Sequence, residues 1–192
     1  NRYLQTPYVW KLLSLDGGAV TDDNGISIQT HGSIHDGQTL GSVILCADMQ
    51  PERHYSRDLR QWLQRKNAEG VSLGALDTGG FLLARAGLLD GCRATVHWEV
   101  VEAFRERFPK VVVAQTLFEI DSRRLTCAGG TAAIDMMLSA VAIDHGIDLA
   151  NRVAEHCLHD RIRPGDVTQR MALTTRSRIH HPAVATAMQL LE

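Results

Sequence analysis

The chain has 192 residues with 44% hydrophobic composition, enough to bury a sizeable core within one globular domain. Lys and Arg number 20 against 22 Asp and Glu, so the surface carries no general attraction for a phosphate backbone, and direct DNA contact by this segment is not expected. Cys46, Cys92, Cys127 and Cys157 include no CxxC pair, which speaks against a zinc site or a disulfide scaffold and fits a reducing cytoplasm; no apolar run reaches membrane-span length and no leader is recognised, so a soluble protein is expected.

In chain order, residues 8–14 (YVWKLLS) are predicted as a strand ended by Asp16-Gly17-Gly18, and 42–46 (SVILC) as an apolar strand buried on both faces. Residues 56–69 place Leu59, Trp62 and Leu63 at helical spacing and stop at Gly70, after which 71–76 is again strand-like, completing a β-α-β unit. Helical character resumes over 81–89, a second helix over 100–108 is closed by Pro109, and 111–114 is a β-branched run. Residues 118–121 and 125–127 flank the polar Ser122-Arg123-Arg124 as a hairpin, and 132–145 and 148–158 follow as helices. This alternation predicts an open, largely parallel sheet with helices on both faces. From 160 to 178 the composition shifts to Arg, Thr, Gln and Asp around Pro164-Gly165, a partly ordered connector; 183–191 is a last helix that stops in mid-pattern, as expected of a chain cut from something longer.

Two turns have the form that chemistry needs. Residues 71–81 (VSLGALDTGGF) run from a strand through glycines straight into a helix, the sequence form of a nucleophile elbow, in which one residue is pushed out of the sheet beside helix-terminal N–H groups. Glycines there remove Cβ atoms that would clash. The alternative is that Asp77 only caps the helix, as Asp commonly does, and the local sequence leaves both readings open. Residues 125–135 (LTCAGGTAAID) repeat the strand-glycine-helix logic, although alone this turn reads best as a helix entry with Thr131 as cap. Ligands in open α/β sheets bind outside the carboxyl ends of the strands, so two such turns can line one pocket.

Between them, 94–99 (ATVHWE) brings His97, Trp98 and Glu99 together in sequence; a lone histidine and tryptophan are more often structural than functional. The 9 histidines form no recognisable metal set, and neither metal nor cofactor is expected. Cys127 has no neighbouring positive charge to lower its thiol pKa, so a buried inert cysteine is expected.

Residues 74–91 (GALDTGGFLLARAGLLDG), 94–98 (ATVHW) and 127–138 (CAGGTAAIDMML), in this order, resemble the amino-terminal domain of AraC-family transcription regulators with a class I glutamine amidotransferase-like, or ThiJ/PfpI, fold. The resemblance covers most of the chain. It implies a flavodoxin-like, three-layer α/β domain that senses an effector in the cytoplasm, forms a homodimer and is not an enzyme. Residues 1–160 would be the sensing domain and 161–192 the connector to a helix-turn-helix DNA-binding domain that is absent here, as are a first strand and helix usual in the family. In enzymes of that superfamily the elbow residue is a cysteine; here it is Asp77, which supplies no thiolate, and the family's histidine turn maps onto His97.

A fixed negative charge in that position favours a cationic group. The expected effector is a small nitrogen metabolite such as an amino acid or quaternary ammonium compound, with Asp77 facing its cation and Trp98 offering a ring face. Thr78, Gly79, His97, Cys127, Gly129, Gly130 and Thr131 are expected to complete the pocket. Regulators with an Asp-Thr-Gly elbow resemble sensors of arginine, carnitine or glycine betaine. Against this stand a structural His97–Asp77 ion pair, a hydrolase forming an ester on Asp77 that water activated by His97 would open, an amidotransferase or protease using Cys127, and a dimerisation module without a ligand.

Overall fold

The computed structural model describes residues 8–170 except 23 and 48, together with 184. Four short strands come first: β1 (Leu13–Ser14), β2 (Val20–Thr21), β3 (Ser27–Ile28) and β4 (Gly32–Ser33). They pair among themselves, β1 parallel with β4 and β2 antiparallel with β3. The longer elements then alternate as β5 (Ser42–Ala47), α1 (Arg57–Ala68), β6 (Ser72–Asp77), α2 (Gly80–Arg85), β7 (Arg93–Ala94), α3 (Val101–Arg107) and β8 (Val112–Val113). The hairpin β9 (Phe118–Asp121) and β10 (Arg124–Cys127) follows, then α4 (Ala132–His145) and α5 (Ile147–His156).

The central sheet has the order β5-β6-β10-β9, parallel from β5 to β10 with β9 antiparallel at its edge, and β7 pairs with β8 in a separate parallel ladder. Side chains alternate across this sheet and build a core on each face. On one face Leu73 and Ala75 of β6 join Leu59, Trp62 and Leu63 of α1, Leu82 and Leu83 of α2 and Phe104 of α3. On the other, Cys127 of β10 and Phe118 of β9 meet Ala132 and Met136 of α4, with Leu76 and Leu125 packed against them. Helices thus cover both faces, as the alternating pattern predicted. α1 begins where expected because the Ser56 hydroxyl accepts a hydrogen bond from Leu59 N at 3.0 Å, and its last turn carries Arg65 and Lys66 against the helix dipole.

Three expectations need correction. Within 8–14 only Leu13 and Ser14 form a ladder, with Gly32 and Ser33; Val9 and Trp10 are exposed, and a β-rich run without a neighbouring strand gains nothing from extension. Strand β5 is not buried on both faces: among the described residues it is an outer strand of its sheet, and Cys46 is exposed while Val43 and Leu45 are half-buried against the first core. The helix expected over 81–89 ends at Arg85, where Gly87 at φ +75 turns the chain. The terminal helix expected over 183–191 lies outside the described residues save for Val184.

Candidate functional site

At the carboxyl end of β6 the chain bends sharply. Asp77 has φ +55, a left-handed conformation uncommon outside glycine, asparagine and aspartate, which among the described residues Ser122 and Leu158 also adopt. Gly79, two residues on, occupies the N-cap position of α2, so Asp77 stands before the helix and not at its N-cap. Close packing explains the two glycines: a Cβ on Gly79 would sit 2.8 Å from Leu45 O, and one on Gly80 2.7 Å from Val96 Cγ1. The elbow helix is thereby wedged against both the sheet and the turn that carries His97. Thr78 is buried beside it.

The second glycine turn meets the first. Gly129, at φ +94, lies so near the elbow that a Cβ there would approach Asp77 Oδ2 to 2.7 Å. Only the missing side chain leaves room for the carboxylate. Below them Cys127 is fully buried, and its sulfur accepts a hydrogen bond from Gly129 N at 3.3 Å. Burial, opposed by that N–H and reinforced by the negative charge of Asp77, pushes the thiol up to about 11, so near neutral pH it is protonated. Gly130, at φ +55, is exposed. Thr131 occupies the N-cap position of α4 without capping it; its hydroxyl accepts from Arg163 Nη2 at 2.9 Å instead.

The third turn is tied in through the sheet: Thr95 N donates to Thr126 Oγ1 of β10 at 2.9 Å. His97 is half-buried, its ring centroid 5.4 Å from that of Trp98, and its Nδ1 accepts from Glu99 N at 3.4 Å. Trp98 is 40% exposed, with the Arg170 guanidinium 4.6 Å above its ring. A cleft of about 340 Å3 adjoins the elbow, lined by Thr78, Phe81, Val100, Met49, Pro51 and Arg53 among others. The structure therefore brings Asp77, Cys127 and Gly129 into contact, places Thr78 on the cleft, and links the His97–Trp98 turn to both through Thr95, Val96 and Gly80. Among the described residues no cluster of His, Cys, Asp or Glu is arranged to hold a metal ion, and no helix is long and apolar enough to cross a membrane.

Sequence reasoning missed the charged group behind the second turn. Asp135, fully buried, accepts from His159 Nε2 at 2.8 Å and from the backbone N and Nε of Arg163, each at 2.8 Å. Its one sequence signal is a carboxylate beside Met136 on the buried face of an apolar helix, where only a paired charge is tolerated. His159 and Arg163 lie 24 and 28 positions away, in a segment with no periodicity to mark it.

No family model matches the chain. The chain is 45% identical over 176 residues to the HTH-type transcriptional regulator CdhR of Pseudomonas aeruginosa, covering 92% of this chain and 52% of that protein. It spans about half the length of the curated relatives it matches. Among solved structures, an AraC family transcriptional regulator from Pseudomonas putida aligns with TM-score 0.67 and 30% identity over 76% of this chain and 78% of that one. A ThiJ/PfpI family protein from Pseudomonas syringae aligns with TM-score 0.69 over 94% of this chain and 72% of that one; at 23% identity it shows the fold. A ThiJ/PfpI-like α/β domain with an aspartate at its elbow, the chain belongs to the AraC family of transcriptional regulators.

Proposed function

We propose that the chain is the effector-binding domain of its regulator and that it binds a small cationic nitrogen metabolite without turning it over. The observation that carries the reading is the Asp77 carboxylate held at the strained elbow against Gly129, beside a thiol that burial keeps protonated. Backbone strain of this kind costs about 1–3 kcal/mol and persists where the surrounding structure enforces it, often at functional sites. A carboxylate so placed attracts positive charge, and in this reading Trp98, on the turn that packs against Gly80 through Val96, adds an aromatic face. In this reading Thr78, Gly79, His97, Cys127, Gly129, Gly130 and Thr131 complete the pocket, and the adjoining cleft takes the uncharged part of the ligand.

An ester-forming hydrolase would need His97 as a base. Its Nδ1 is engaged within its own turn, 3.4 Å from Glu99 N and 3.8 Å from Glu99 Oε2, and intact-mass measurement after incubation with activated esters tests for the ester on Asp77. The rest of the regulator's action is proposed with the domain: a homodimer in the cytoplasm, residues 161–192 as connector, and DNA contact through a helix-turn-helix domain outside this chain. Binding would act by favouring one arrangement of the connector over another.

Calorimetry of the wild type and Asp77→Asn with arginine, carnitine, glycine betaine and choline tests the reading. Loss of a charge-assisted contact worth about 1.5–3 kcal/mol predicts binding weaker by roughly ten- to a hundredfold in the variant. Equal affinities would remove the idea.

A further inference from the structure

Residues 159–170 form a strap that ties the second glycine turn to the turn bearing His97, and its two ends are held by different chemistry. At the near end the fully buried Asp135 accepts from His159, from Arg163 N and from the Arg163 guanidinium, whose Nη2 is 2.6 Å from Asp135 Oδ2 and also donates to Thr131. In the middle Leu117 N donates to Gly165 O at 3.0 Å and Val167 O at 2.9 Å. Gly165 sits so tightly on Phe118 that a Cβ would come within 2.8 Å of Phe118 O.

The far end is held by neutral groups, a β-bridge between Thr116 and Thr168 and the side chain of Gln169. Gln169 Nε2 lies within 3.0 Å of Thr95 Oγ1, Val96 O and Thr116 O, so two N–H groups serve three acceptors, while its Oε1 is buried with no hydrogen-bond partner among the described residues. Beyond it the guanidinium of the exposed Arg170 covers the Trp98 ring at 4.6 Å. The ring face assigned above to a ligand's cation therefore already carries a cation, and that cation belongs to the strap.

We propose that Arg170 is the resident occupant of the cation subsite on Trp98, and that a cationic ligand displaces it and frees the far end of the strap while the Asp135–Arg163 pair holds the near end. The inference rests on the reading of the site as a cation receptor. Two cations compete for one ring face, so apparent ligand affinity falls by the fraction of molecules in which Arg170 is seated, and ligand binding must unseat it by the same coupling. The near end, buried and charged, stays fixed, and the far end, held by neutral bonds and by the Arg170–Trp98 contact, is the end that a ligand loosens.

Choline serves as the probe, with sodium chloride at matched ionic strength as control, on the full chain. Arg170→Ala is expected to bind choline about two- to fivefold tighter than wild type, the factor an exposed cation–π contact corresponds to. In the wild type choline should speed hydrogen exchange at the Leu117 amide, which reports seating of the strap. Arg170→Lys, which keeps the charge without the planar stack, should fall between, and it replaces the alanine variant should that one fail to fold. Equal affinities in wild type and variant, or Leu117 exchange that choline leaves unchanged, would overturn the inference; the reading of the site would stand so long as Asp77→Asn still weakens choline binding. Absence of choline binding in every protein, wild type included, would overturn both.

Discussion

Replacing Arg163 by Met removes the charged partner of Asp135 while keeping an unbranched apolar stem. Asp135 is fully buried and Arg163 29% exposed, so the variant leaves a buried carboxylate with only His159 and the Arg163 backbone N–H to hold it. Stripping one partner from a buried pair costs about 3–5 kcal/mol. The partial exposure of Arg163 and the surviving donors put this site toward the lower end, about 3 kcal/mol. For a domain of this size that lowers Tm by roughly 6–12 °C.

The pH dependence carries a second signature. Burial pushes the Asp135 carboxyl up, but the Arg163 N–H, His159 and the Arg163 guanidinium together outweigh it and hold the group below its ordinary value. A depressed folded pKa stabilises above the unfolded value, near 4, and the contribution is lost as pH falls through the folded value. The gap between wild type and Arg163→Met should therefore be widest near neutral pH and shrink below about pH 4. Urea unfolding followed by circular dichroism at both pH values measures it. A neutral-pH difference below about 1 kcal/mol, typical of a surface ion pair, would refute the reasoning.

Gly129→Ala forces a Cβ to within 2.7 Å of Asp77 Oδ2 on backbone at φ +94; it should lower stability by about 1–3 kcal/mol and weaken choline binding, and calorimetry showing wild-type affinity would mean that the carboxylate position does not matter. Cys127, buried and with its pKa pushed up to about 11, should resist iodoacetamide near neutral pH while exposed Cys157 is alkylated. Peptide mapping that found Cys127 labelled as fast as Cys157 would restore a reactive thiol to the site.

Sequence legibility followed the range of the interactions. The helix over 132–145 and the hairpin around Ser122 were readable because periodicity and turn chemistry are local, and the elbow at Asp77 because strand, glycines and helix adjoin within a few residues. Strand β5 reads as doubly buried from its apolar run, yet its burial depends on what lies beside and above it, which no local pattern encodes. The contact of Asp77 with Gly129 spans two strand-to-helix turns, and that of Gln169 with Thr95 and Val96 joins residues 73 and more positions apart. The glycines of the second turn were visible as a place of close approach, whereas the carboxylate they admit was not assigned to it. Arg163 and Arg170 looked like connector polarity until packing gave each a partner, Asp135 for one and Trp98 for the other.

A crystal structure of this chain soaked with choline puts the receptor idea to its plainest trial. The trimethylammonium group should lie against the Asp77 carboxylate, with that carboxylate chemically unmodified. Ligand seated away from the elbow, or an ester bond on Asp77 after exposure to an activated substrate, would contradict it.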